Sequence, residues 1–227
     1  MHPLDNPAWS ALTTLQRDLA LISGPARRFP PEMSPHSALL DPTPEAWEAL
    51  AEISPAPASI FSLDELKFPQ GWKIIRKVEL YEMVQENPLP ADTRPNVKLS
   101  QLTAEDVPQM SILYQATRPS RSMAPRLHEL GGILGVKRDG RVLAMACLRL
   151  HFPGYREIST VGTLPGHTGR GFATALIAEL SRRIHSAGEI PFLTVRVDNI
   201  RAIEIYKRLG FCERIRMHST TMVYESK

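Results

Sequence analysis

The sequence predicts a mixed α/β fold, a mixed sheet with helices on both faces, and three observations carry that prediction. From Val97 onward, strand-like and helix-like stretches follow one another in the order β-α-β-β-β-α-β-α-β-β. Asp139-Gly140 stands between two apolar runs, the strongest short hairpin signal in the chain. A glycine-rich turn, "TLPGHTGRGF", leads straight into the longest helical pattern.

Proline divides the 227 residues in two, with fourteen of the 20 prolines before Asn96. In the first part, "FPPEMSP", "DPTPEAW" and "SPAPAS" read as loops and turns. Helices are expected over Pro7–Ile22 and Pro44–Ile53. Strands are expected over Ala58–Leu63 and over Trp72–Val84, the latter broken near Lys77. "NPLPADTRPN" reads as a linker. The expected organisation is therefore an N-terminal proline-rich α/β region, residues 1–95, packed on a second domain, residues 96–227.

In the second part "VKLSQLT" alternates as a strand. "TAEDVPQMSILYQAT" reads as a helix capped by Thr103, with Asp106 three residues on. "GGILGVKRDGRVLAMACLRL" forms the hairpin, and "YREISTVGTLP" the next strand. The glycine turn opens a helix that stops near Gly188. "PFLTVRV" is an apolar strand. "DNIRAIEIYKRLG" is a short helix with Asp198 or Asn199 as cap and Gly210 as stop. "FCERIRM" and "TTMVYE" read as two closing strands.

Composition narrows the classes. Apolar residues make up 43% and charged residues 22%, as in ordinary globular proteins. The net charge of +3 is mild, and the basic residues are interleaved with acids rather than drawn into a stripe, which argues against a nucleic-acid partner. No stretch has the length of a membrane span or the layout of a secretory leader. Cys147 and Cys212 are the only cysteines and show no metal-ligand spacing. His151 and His167 have no second ligand nearby. The expectation is a cytoplasmic protein, monomer or homodimer, with free thiols and no metal.

A strand, a glycine turn and a helix together leave backbone N–H groups free at the positive end of a helix dipole, which suits a phosphate. The stretch lacks Gly-Lys-Ser/Thr and GxGxxG, so it is neither a Walker loop nor a dinucleotide fingerprint. Thr168-Gly169-Arg170-Gly171-Phe172-Ala173 resembles motif A of the GNAT superfamily of acyl-CoA N-acyltransferases, Arg/Gln-x-x-Gly-x-Gly/Ala. Thr168 departs from it, standing where Arg or Gln is usual. Asn199, Ala202, Tyr206, Gly210 and Phe211 in "VDNIRAIEIYKRLGF" match the family's second half. The resemblance spans Val97 to Tyr224. "REISTVGTLP" also resembles the glycine N-acyltransferase branch, and by that analogy the N-terminal region is a degenerate half-copy of the fold.

The resemblance implies acetyl-CoA as acyl donor and a small-molecule or peptide amine as acceptor. It implies that the strand end at Val161, Gly162 and Thr163 holds the pantetheine arm. The pyrophosphate would lie on Thr168, Gly169, Arg170, Gly171, Phe172, Ala173 and Thr174, with Asn199, Ala202 and Tyr206 completing the cofactor site. Amide formation needs a base, an oxyanion donor and an acid for the leaving thiolate. Glu157 is the candidate base, because residues 157, 159, 161 and 163 share a face in a regular strand; pairing with Arg149 or Arg156 is the competing role. Tyr206 is the candidate acid; packing with Ile203 and Leu209 is its competing role. The acceptor pocket is expected from the first helix, the loop "RPSRSMAPRLHE" and the N-terminal region. A CoA-binding or interaction module without catalysis is the alternative function.

Overall fold

The computed structural model describes residues 2–89 and 97–225. Most of the expected linker, 90–96, lies outside the described residues, as does the expected boundary between residues 95 and 96. Eleven strands form one sheet: β1 (Leu21–Ser23), β2 (Ala26–Arg28), β3 (His36–Leu39), β4 (Ala58–Ser62), β5 (Trp72–Val84), β6 (Ser100–Leu102), β7 (Ile133–Arg138), β8 (Arg141–Phe152), β9 (Tyr155–Thr163), β10 (Ile190–Arg196) and β11 (Cys212–Tyr224). Their spatial order is β1-β2-β3-β4-β11-β5-β10-β9-β8-β7-β6. The helices are α1 (Pro7–Thr13), α2 (Pro44–Glu52), α3 (Val107–Thr117), α4 (Phe172–Ser186) and α5 (Ile200–Arg208).

Several elements follow from local chemistry. Asp139 and Gly140 both have positive φ, 50° and 73°, which closes the β7–β8 hairpin. Thr103 and Asp106 form a reciprocal capping box ahead of α3. The Asn199 side chain accepts from the Ala202 N–H at 3.3 Å and starts α5.

Others depart from the sequence reading. The first helix ends at Thr13, not Ile22. The Thr13 and Thr14 hydroxyls donate back to the carbonyls of Trp9 and Ser10, and Thr14 leaves helical dihedrals. Ile22 instead pairs with Arg27 in a short hairpin. The proline-rich stretch contains β2 and β3, which the turn residues masked. "VKLSQLT" contributes only Ser100–Leu102. β5 runs unbroken past Lys77, because β11 pairs with it from Trp72 to Val84. The two expected closing strands are one, β11, which bulges at Arg214 between Glu213 and Ile215. The second irregularity is on β5, where Ile75 is the extra residue opposite Thr221 and Met222, two positions from the expected break at Lys77.

The strand contributed by Trp72–Val84 is not at an edge. It lies between β10 and β11 and is antiparallel to both. Helices α1 and α3 cover one face of the sheet, where Leu4, Leu12, Met110 and Leu113 pack with Phe61, Leu80, Cys147 and Phe192. Helices α4 and α5 cover the other, where Leu176, Ile177, Ile203 and Tyr206 pack with Met83, Leu148, Ile158 and Leu193. On that second side Trp47 and Leu50 of α2 join Trp72 and Met222 in a separate cluster.

Candidate functional site

β9 and β10 are parallel neighbours only briefly. Pairing runs from Tyr155–Ile190 to Glu157–Phe192 and then stops. Beyond that point a cleft of about 160 Å³ opens, lined by Val161, Gly162, Thr163, Ala173, Ile177, Asn199, Arg201, Ala202, Ile205 and Tyr206. The backbone groups of the last β9 residues on the β10 side have no strand to pair with.

A bulge shapes β9 here. Cys147 pairs with Ser159 and Met145 with Gly162, so Val161 and Thr160 together oppose Ala146 alone. Thr160 takes up the extra residue at φ 54°. The bulge changes which side chains share a face. Ile158 and Val161 both pack on the α4/α5 side. Glu157 points to the α1/α3 side with Arg149. The regular alternation expected for residues 157, 159, 161 and 163 therefore fails: 157 and 159 face one way, 161 and 163 the other.

At one end of the cleft the glycine turn meets α4. Gly171 is the N-cap of α4 at φ 76°, left-handed, with no side chain capping the helix. Among the described residues, none of the backbone N–H groups from Thr168 to Thr174 donates to another protein group. Seven consecutive free amides thus surround a helix N-terminus, and Thr168 through Gly171 are exposed. An anion is the natural partner for such a surface.

Tyr206 forms part of the cleft wall from α5 and is 8% exposed. Burial pushes its phenol up to about 12, opposed by the Arg118 charge. Its hydroxyl thus stays protonated throughout the neutral range. Tyr206 also lies 6.1 Å from the Phe211 ring and in one buried cluster with Ile203 and Leu209, the packing considered as its competing role.

Glu157 is 0% exposed. Arg149 holds it with two hydrogen bonds, Nε to Oε2 at 2.8 Å and Nη2 to Oε1 at 2.6 Å. Arg149 is itself anchored from the N-terminal region. Gln16 donates to the Arg149 carbonyl at 2.8 Å and accepts from the His151 N–H at 3.0 Å, where β8 bulges. Across β10, on the same face as Glu157, stands Glu82 of β5, also 0% exposed. Its Oε1 accepts from Arg214 Nη1 at 2.9 Å, while Oε2 has no partner. Burial raises its carboxyl to about 8 against the opposing charge of Arg214, with Asp5 and Glu157 adding to the rise.

The cleft thus gathers Val161, Gly162, Thr163, Ala173, Asn199, Ala202 and Tyr206. Thr168, Gly169, Arg170, Gly171, Phe172 and Thr174 lie outside its wall, at the α4 end, and Glu157 lies on the other face of the sheet. Sequence reasoning missed Ile177, Arg201 and Ile205, although each stands one helical turn from a residue it named or from another of the set. Arg118, the first residue of the loop expected to line the acceptor pocket, was not singled out for contact with the cleft; it donates Nη2–H to the Val161 carbonyl at 3.0 Å with its guanidinium 5.0 Å from the Tyr114 ring. No cluster of three or more metal-ligating side chains occurs among the described residues. Cys147 is buried, and burial raises its thiol to about 11; Cys212 is exposed.

Comparison with known proteins gives the class. The family described as FR47-like protein matches residues 133–220. A GNAT-family protein of solved structure from Novosphingobium aromaticivorans is 32% identical, with all of both chains covered and a TM-score of 0.89. The chain belongs to the GNAT superfamily of acyl-CoA N-acyltransferases. Among curated proteins, the mycothiol acetyltransferase of Streptomyces avermitilis is 29% identical over 122 residues, 53% of this chain and 38% of that one. N-alpha-acetyltransferase RimI of Mycobacterium tuberculosis is 33% identical over 82 residues, 36% of this chain and 45% of that one. The chain spans less than half the length of the curated relatives it matches.

Proposed function

We propose that the protein transfers an acetyl group from acetyl-CoA to a primary amine by direct attack. The observation that carries this reading is the run of unpartnered amides at Thr168–Thr174 beside a cleft with Tyr206 in its wall. The pyrophosphate of CoA takes those amides, with Arg170 and the Thr174 hydroxyl beside them. The pantetheine arm lies in the gap between β9 and β10 and uses the backbone groups that β9 leaves unpaired. Acetyl is the acyl group carried by the named curated relatives, and membership of the superfamily supports CoA as its carrier.

The amine approaches from the α1/α3 side of the sheet. Its attack forms the C–N bond and then breaks the C–S bond; the proton leaves the nitrogen and the thiolate needs one. Glu157 receives the first through an intervening water, because both of its oxygens are already engaged by Arg149 and its side chain is buried. Tyr206 donates the second. Its high pKa suits an acid that must stay protonated until a thiolate appears.

Thiol release from acetyl-CoA over pooled amines tests the reading, with Tyr206→Phe as the control variant. Phenylalanine keeps the packing on Phe211 and removes only the hydroxyl. Turnover is expected to fall about 100-fold or more, with CoA affinity unchanged by calorimetry. CoA binding without thiol release from any amine would favour a binding module instead.

A further inference from the structure

Three arginines on the α1/α3 face have no acidic partner among the described residues: Arg76 of β5, Arg118 at the end of α3, and Arg121 in the loop that follows. All three are half-buried. The neighbouring cations differ. Arg149 is neutralised by Glu157 and Arg196 by Asp198. Arg121 and Arg118 are joined through the loop backbone, Arg121 N–H to the Arg118 carbonyl at 3.0 Å.

Strand register places Arg76 in a row across the same face. Arg76 pairs with Thr221, Thr221 with Ser59, and Ser59 with His36. The Thr221 and Ser59 hydroxyls are 2.8 Å apart. His36 is 5% exposed, stacks on Phe61 at 4.7 Å, and its Nδ1 has no partner. The row therefore ends in a buried polar atom with nothing to bond.

Arg76 lies just past the C-terminal end of β10, where the Val197 N–H donates to the Glu79 carbonyl. Arg118 sits on Val161 at the C-terminal end of the parallel strand β9, so the arginines flank the same end of the two splayed strands. Burial lowers the Arg76 guanidinium, and Arg121 and Arg196 lower it further; Arg118 is lowered by burial and by Arg121, with Tyr114 opposing. His36 is driven well below its ordinary value by burial and then by Arg149, Arg121 and Arg76, and so is neutral. Partly desolvated like charges without a counter-charge are unfavourable, and a bound anion relieves them.

We propose that Arg76, Arg118 and Arg121 receive an anionic group of the acceptor, so that the acceptor is an amine carrying a carboxylate or a phosphate. The inference rests on the acyltransferase reading of the cleft. Arg118 ties the two together, since it binds the carbonyl of Val161 in the cleft wall from the acceptor side. Guanidinium forks match both anions in geometry. A polyamine, with only positive charge, is disfavoured by the same groups.

The test measures binding to the full chain saturated with CoA, which occupies the other anion site. Calorimetry compares matched amines that differ only in the anion: amino acids against their amides, and phosphoethanolamine against ethanolamine. At least one anionic member is expected to bind about tenfold or more tightly than its neutral twin. The two pairs separate carboxylate from phosphate. Arg76→Gln with Arg121→Gln should shrink that preference severalfold and leave CoA affinity alone, and Arg76→Lys should retain most of it. The proposal is overturned if no anionic amine outbinds its neutral twin, or if the double variant keeps the full preference. Binding is read whether or not acetyl transfer occurs, so a preserved preference without thiol release counts against the transferase reading alone.

Discussion

Arg149 grips both carboxylate oxygens of Glu157 in the interior of the sheet's α1/α3 face, at 2.8 and 2.6 Å. The pair is buried, and Gln16 fixes the backbone of its cationic member. Removing one partner strands the other. Arg149→Ala is expected to cost about 3–5 kcal/mol of stability, because an unpaired buried carboxylate remains. Glu157→Gln keeps one acceptor for the guanidinium, its amide oxygen, and leaves no unpaired carboxylate, so it should cost less, while lowering turnover by about 100-fold or more with CoA affinity retained. Denaturant unfolding and steady-state kinetics on the two variants check this. Full turnover in Glu157→Gln removes the residue from the chemistry.

Gly171 is the second test. Its φ of 76° is a conformation L side chains rarely adopt, yet an added Cβ would meet nothing within 4 Å. Gly171→Val should therefore fold with a stability loss of about 1–2 kcal/mol from backbone strain. The new side chain would stand among the free amides, and CoA affinity should drop at least about tenfold for the loss of charge-assisted bonds. Unchanged affinity by calorimetry would contradict the placement of the pyrophosphate.

Glu82 gives a pH dependence with a definite sign. Its folded carboxyl titrates near 8, above the ordinary 4.5. The folded state thus holds this proton more tightly than the unfolded chain does. That contribution is fully present below the lower value and is lost as pH rises toward 8. Arg214 and Asp5 face it from β11 and the N-terminus, and Glu157 faces it from β9. Glu82→Gln cannot ionise, so it should lose less stability than the wild type between pH 5 and 8. A gap in Tm that widens by several degrees over that window is expected. Parallel profiles would show that Glu82 does not titrate there.

Deleting residues 1–95 should yield an insoluble or inactive fragment. The deletion removes β5 from the middle of the sheet and bares the edges of both β10 and β11. It also removes Gln16 from Arg149 and Asp5 from Arg214. A soluble, monomeric fragment starting at Asn96 with full activity would show that the N-terminal region is dispensable.

What was legible in the sequence was local. Asp139-Gly140, the Thr103–Asp106 box, the Asn199 cap and the glycines before α4 each act within a few residues of themselves, so spacing alone reveals them. The cleft wall was legible in part through the family resemblance, which picked out Asn199, Ala202 and Tyr206. Three features were not. The bulge at Thr160 puts a β-branched residue at positive φ, against its own preference, and so reverses the face on which Glu157 points. Arg118 reaches a carbonyl 43 positions away. The place of β5 depends on strands more than a hundred residues later.

That insertion has a kinetic meaning. Val84 must find Phe192 on one side and Cys212 on the other. During synthesis the segment carrying Ile74, Ile75, Leu80 and Met83 emerges long before either neighbour exists. At roughly 5–20 residues per second, it waits on the order of ten seconds as an apolar strand with two bare edges. The middle of the sheet is therefore among the last parts to close, and pairings of this sequence separation close slowly. Chaperone dependence and aggregation during expression should track the exposure of this one segment, whatever the stability of the finished protein.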